Sequence, residues 1–148
     1  MSKYPFKLVV LFLLSFFVYQ SPVNAQKGGN LTVEITGLRN SKGAVLLSMY
    51  SQKDGFPSDP KKAYWKGQEP IREGKARFEY KDLPAGTYAI AMLHDENGNL
   101  KMDTRFLGLP KEGYGFSRDP ELLFGPPAFK SASFQHAADQ VIQIAARY

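Results

Sequence analysis

The chain has 148 residues, 43% of them hydrophobic, a formal net charge of +5 and no Cys. That length allows one ordinary domain, with or without a targeting segment. The lack of Cys excludes a disulfide framework, a Cys-based zinc site, an iron–sulfur cluster, a thiol nucleophile and a lipid-anchored Cys.

Residues 1–25 read as a secretory signal peptide. Lys3 and Lys7 form a positive start, Leu8–Tyr19 is a twelve-residue apolar run, and Val23-Asn24-Ala25 is a small-residue cleavage site. An uncleaved anchor would need about 20 apolar residues, and Pro22 and Asn24 interrupt this run too early. Cleavage after Ala25 leaves 123 residues with 17 basic and 14 acidic side chains, a charge of +3. The expected address is periplasmic or extracellular, with no membrane span after cleavage. The remaining basic residues are interleaved with acids, which gives no stripe for nucleic acid. An exported domain of this size without Cys has to rely on a single hydrophobic core.

Residues 26–30 (QKGGN) read as a short flexible lead-in, and the domain proper as 31–148. Leu31, Val33 and Ile35 alternate with Thr32, Glu34 and Thr36, the period of a half-buried strand that Gly37 ends. A turn cluster at 39–43 leads to a second strand, Ala44–Ser51, so 31–51 reads as a hairpin. Residues 52–64 form a loop, with a helical turn as an option near Pro60. Lys66–Ile71 and Lys75–Tyr80 read as a second hairpin, and the latter places Ala76, Phe78 and Tyr80 on one face. After a turn at 82–86, Thr87–His94 is apolar or small on both faces, which marks a central strand. Residues 95–103 are polar and turn-rich. Residues 104–130 hold four Pro and four Gly without a period, a long loop of the kind that often carries function. Ser131–His136 reads as an edge strand and Val141–Tyr148 as the closing strand. About seven short strands and no long amphipathic helix predict an all-β fold. A two-layer antiparallel β-sandwich satisfies it, with a small barrel as the alternative.

The run Asp82-Leu83-Pro84-Ala85-Gly86-Thr87-Tyr88 resembles a turn and strand of transthyretin-like and Cna-B-like sandwich modules. The longer strings DLPAGTYAIAMLHDENGNLKMD (82–103), FLGLPKEGYGFS (106–117) and FGPPAF (124–129) resemble the DUF2141 family of exported bacterial proteins of unknown function. The resemblance covers essentially all of 30–148. It implies a bacterial source, export and an Ig- or prealbumin-like sandwich, and it implies no activity.

One loop has metal-ligand spacing. Asp95, Asn97, Asn99 and Asp103 fall at positions 1, 3, 5 and 9 of an EF-type calcium loop, with the Lys101 carbonyl at position 7. The departures are Leu100 at position 6, where Gly is expected, and Phe106 at position 12, where a bidentate Glu is expected. The competing reading is a polar turn in which Asn-Gly-Asn supplies positive φ. If Ca²⁺ binds, the site is expected to be weak, in the micromolar to millimolar range.

The 104–130 stretch offers a second candidate. Phe106, Tyr114, Phe116 and Arg118 would line a ligand groove, since aromatic walls with convergent polar groups suit small molecules or sugars. The competing reading is a loop pinned over a sheet edge by its own aromatics. Tyr64-Trp65 reads either as a carbohydrate platform or as a core rim. His94 adjoins Asp95, but neighbours on a strand point to opposite faces. No nucleophile elbow, phosphate loop or zinc-protease motif occurs. The resulting expectation is an exported, non-enzymatic domain that binds a small ligand, an ion or an envelope protein through loops 95–118. The alternatives are a metal-assisted enzyme built on Asp95, Asp103 and His94, and a structural accessory subunit.

Overall fold

A computed structural model describes residues 28–122 and 125–148; the expected signal peptide and Phe124 lie outside the described residues. The described part contains eight strands: β1 (Gly29–Thr36), β2 (Ala44–Tyr50), β3 (Trp65–Glu69), β4 (Ala76–Leu83), β5 (Gly86–Asp95), β6 (Gly113–Phe116), β7 (Phe134–His136) and β8 (Gln140–Ala145). A single helical turn, α1 (Phe129–Ala132), precedes β7. A 3-10 turn at Pro60–Lys62 is capped by Asp59, whose carboxylate accepts the Lys61 N–H.

The strands form two open sheets. One has the order β4-β1-β8; the other has the order β3-β2-β5-β6, with β7 also paired to β5. Leu31, Val33, Ile35, Phe78 and Ile144 face Val45, Leu47, Met49, Ile90 and Met92 across one core. The fold is an all-β sandwich, as the period-two alternation requires. Trp65 packs at the rim of this core, 6.3 Å from the Phe78 ring and 5.5 Å from that of Tyr80.

Three features differ from the sequence expectation. Neither expected hairpin forms: β1 and β2 lie in opposite sheets, and so do β3 and β4. Each of these strands buries only one face, so neighbours in sequence can lie opposite one another across the core as readily as side by side. Local alternation does not distinguish the two arrangements. The sandwich is also not wholly antiparallel, because β8 runs parallel to β1, with Leu31 opposite Gln140 and Thr36 opposite Ala145. Last, Gly113-Tyr114-Gly115-Phe116 is a strand within the stretch expected to be loop. A Cβ on Gly113 would lie 2.6 Å from the Tyr148 ring, and one on Gly115 2.7 Å from Ile144. Glycine at both positions lets β6 lie against the end of the other sheet.

β5 is central, as its two apolar faces suggest. One face enters the main core, and the other places Ala89 and Ala91 in a second cluster with Phe56, Tyr114, Phe116, Phe129 and Ala132. β1 begins at Gly29, so two residues of the expected lead-in belong to the sheet. The Gly29 N–H donates to Nε2 of buried His136 at 3.2 Å.

Candidate functional site

β5 ends at Asp95, which is buried although it carries a carboxylate. A buried carboxylate needs compensating donors. Here the chain turns back so that its own backbone supplies them. Asp95 Oδ1 accepts the N–H groups of Gly98 (2.8 Å) and Asn99 (3.2 Å), and Oδ2 accepts that of Leu100 (2.8 Å). The Asn side chains continue the pattern: Asn97 Oδ1 accepts from Asn99 N–H, and Asn99 Oδ1 accepts from Lys101 N–H. Their amide nitrogens donate to the two oxygens of Asp103, at 2.7 and 2.9 Å.

Glu112, just before β6, is a second buried carboxylate. Its Oε1 accepts Glu96 N–H at 2.9 Å and its Oε2 accepts Asp103 N–H at 3.0 Å. One side chain therefore clamps both ends of the 96–103 turn. Glu96 is held in turn by Asn40 Nδ2 (2.9 Å) and by an ion pair with Arg39. Burial alone would raise the Glu96 pKa, but the hydrogen bonds from Asn40 and Arg39 and the Arg39 charge outweigh it, and the pKa lies below the usual value.

His94 lies beneath this layer with no exposed surface. Its Nε2–H donates to the Lys42 carbonyl (2.9 Å), and the Tyr148 hydroxyl donates to Nδ1 (2.7 Å). Tyr148 also accepts the Arg39 N–H (3.0 Å), and the Arg39 guanidinium sits 4.4 Å from the centre of its ring. Burial pushes the Tyr148 phenol pKa up. Both ring nitrogens of His94 are thus committed inside the fold, and neither faces Asp103.

Beyond Asp103 the chain forms a narrow projection. Lys111 N–H donates to the Asp103 carbonyl (2.9 Å), Arg105 N–H to that of Leu109 (2.7 Å), and Gly108 N–H to that of Arg105 (3.1 Å). A 3-10 turn at Phe106–Gly108 closes its tip. Phe106 is 86%, Leu107 82% and Leu109 60% exposed there, and Leu100 is 62% exposed beside it.

The structure separates the four expected ligand-groove residues. Phe106 stands at the exposed tip. Tyr114 is half-buried on β6, and Phe116 is buried in the second core with its ring 6.0 Å from that of Tyr114. Arg118 lies past β6, where it donates to the Ser133 carbonyl and edges a shallow open groove with Lys130, Gln135 and Gln140. The expected calcium residues Asp95, Asn97, Asn99, Lys101 and Asp103 do share one turn. Their oxygens are largely engaged by that turn's own N–H groups. Among the described residues, no group of three or more His, Cys, Asp or Glu side chains is placed to hold a metal ion.

Sequence reasoning missed Leu107, Leu109, Arg39 and Tyr148 as parts of this region. Glu112 carried a faint signal, as an isolated acid beside Gly113-Tyr114-Gly115. Arg39 and Tyr148 carried none, because they meet only through the crossing of the sheets.

The chain matches the model of one protein family over residues 33–144; that family is described as an uncharacterized protein conserved in bacteria (DUF2141). No curated protein and no solved structure matches it.

Proposed function

The chain belongs to the DUF2141 family of uncharacterized bacterial proteins, and from that premise we propose an exported, non-enzymatic binding domain that engages its target through the 95–118 end of the sandwich. The observation that carries this reading is a division of labour in the loop. Its buried carboxylates, Asp95 and Glu112, are spent on backbone donors and hold the turn in shape. The same turn then supports a projection whose large apolar side chains face outward. Catalysis needs a positioned, reachable acid or base, and His94 has no exposed surface. Recognition needs only a rigid, well-presented surface.

The test is a photo-crosslinking residue placed at Phe106 and, as a control, at exposed Gln143 on β8, in bacterial cells producing the protein. Adducts from position 106 that are absent from position 143 support the reading. Equal labelling at both positions, or none at 106, overturns it.

A calcium-bound turn is a second reading. It is favoured by the convergence of the Asn97, Asn99 and Asp103 side-chain ends within hydrogen-bond distance of one another. An ion there would have to displace the N–H groups already bonded to those oxygens, which places its affinity in the weak range of calcium sites. A rise in melting temperature in millimolar Ca²⁺ relative to EDTA supports this reading, and superimposable melts retire it.

A further inference from the structure

Seven large hydrophobic side chains are exposed among the described residues, and four of them, Leu100, Phe106, Leu107 and Leu109, lie within ten residues of sequence. Isolated exposed apolar residues are ordinary, but a cluster of this kind marks an interaction surface. The backbone adds a cost at two of them. Leu100 has φ +63° and Leu107 φ +66°, in the left-handed region that disfavours a side chain. Glu73, Asp82, Arg118 and Asp119 share this region of φ elsewhere in the chain. These two leucines are therefore costly for the backbone and contribute little to the core.

The surroundings identify the occupant. The exposed cations Lys101, Arg105 and Lys111 flank the apolar tip. Against them stands Asp103, partly buried, with its oxygens bonded to Asn97 and Asn99, so the 100–111 segment carries three exposed positive charges and one partly buried negative charge; Glu112 lies just beyond it, buried. The tip side chains are also open to solvent, whereas small-molecule sites enclose their ligand. Exposed apolar side chains on a turn flanked in sequence by exposed Lys and Arg suit the headgroup and acyl boundary of an anionic membrane. We propose that the 100–111 projection inserts into the surface of a lipid bilayer containing anionic headgroups. Insertion of a projecting turn of this kind is a peripheral attachment. The proposal rests on reading the 95–118 end as the recognition surface.

The absence of Cys makes a local test simple. Leu107→Cys and, as a control, Gln143→Cys are each labelled with an environment-sensitive fluorophore in the full chain. Each is mixed with phosphatidylcholine vesicles with and without phosphatidylglycerol. The probe at 107 is expected to brighten several-fold and shift to the blue on anionic vesicles, and the probe at 143 is not. Adding Lys101→Glu and Arg105→Glu to the Leu107→Cys protein is expected to weaken that partition by about tenfold or more. An unchanged probe at 107, equal changes at 107 and 143, or an equal response to neutral vesicles each overturns the proposal. Because the readout is local, the apolar run at 8–19 does not mask it. Crosslinks from position 106 to a protein rather than to lipid would overturn this inference while leaving the binding-domain reading intact.

Discussion

Replacing Glu112 with Gln tests whether one buried carboxylate holds the loop. The two side chains have nearly the same shape, so packing is preserved and only hydrogen bonding changes. Glu112 accepts one N–H on each oxygen, from Glu96 and from Asp103. An amide offers a single acceptor oxygen, and its NH₂ group would face the second N–H. One bond then weakens from charge-assisted to neutral, a loss of about 1 kcal/mol, and the other becomes a mismatch costing about 1–3 kcal/mol. Glu96 and Asp103 are only partly buried, and water can relieve some of the mismatch. The expected loss is therefore about 2–3 kcal/mol. Urea unfolding followed by the fluorescence of Trp65, the only Trp in the chain, would report it as a lower midpoint at unchanged slope. Amide hydrogen exchange adds a local readout, since the Glu96 and Asp103 amides should lose protection in the variant. A loss below about 0.5 kcal/mol, within the range of ordinary surface substitutions, with both amides still protected, would refute the clamp.

Two further perturbations address the layer beneath the loop. Tyr148→Phe removes the hydroxyl that donates to buried His94 Nδ1 and accepts from Arg39 N–H; an expected cost of about 1–3 kcal/mol would appear as a lower thermal midpoint, and a wild-type midpoint would show that water replaces the hydroxyl. Glu96 has a folded-state pKa below its ordinary 4.5, so its contribution to stability is complete above that value and fades as pH falls through the lower folded value. Glu96→Gln should therefore flatten the acid limb of the stability curve below that pH, and an acid limb identical to wild type would refute the assignment.

The sequence made legible whatever depends on a strand's own residues. Alternation in 31–36 and 75–80 identified which side chains enter the core, and the doubly apolar 87–94 was correctly read as central. What alternation does not carry is partnership. Whether β2 lies beside β1 or across the core from it depends on how the 37–43 link crosses the sandwich, and that link is fixed by contacts with Glu96, Lys111 and Tyr148. β6 was hidden for a related reason: Gly113 and Gly115 are there to admit Tyr148 and Ile144, a requirement set by residues about thirty positions away. At the site, the Asp–Asn spacing correctly singled out a structured turn, because Asp95, Asn97 and Asn99 bond to N–H groups two to five residues ahead. The apolar tip was harder to read, since nothing in the period-free 104–130 stretch separates Phe106, expected to line a groove, from the side chains that are buried there.

Leu100 separates a structural role for the projection from an external one. The chain uses glycine for left-handed backbone within this same region, with φ +75° at Gly98 and +74° at Gly108. The leucines at 100 and 107 adopt the same conformation without that freedom. Leu100→Gly would keep the N–H that donates to Asp95 Oδ2 and remove a side chain that is already 62% exposed. Relief of the left-handed strain is worth about 1–2 kcal/mol, partly offset by the greater freedom of glycine in the unfolded chain, about 0.5–1 kcal/mol. Stability should therefore hold level or rise slightly. If Leu100 served only the fold, the substitution would lower stability, and any loss of vesicle binding would follow from that. If it serves the membrane contact, the two quantities move apart, with the urea midpoint steady or higher and partition onto anionic vesicles weaker. A lower midpoint, or unchanged partition, would refute the assignment of Leu100 to the contact surface.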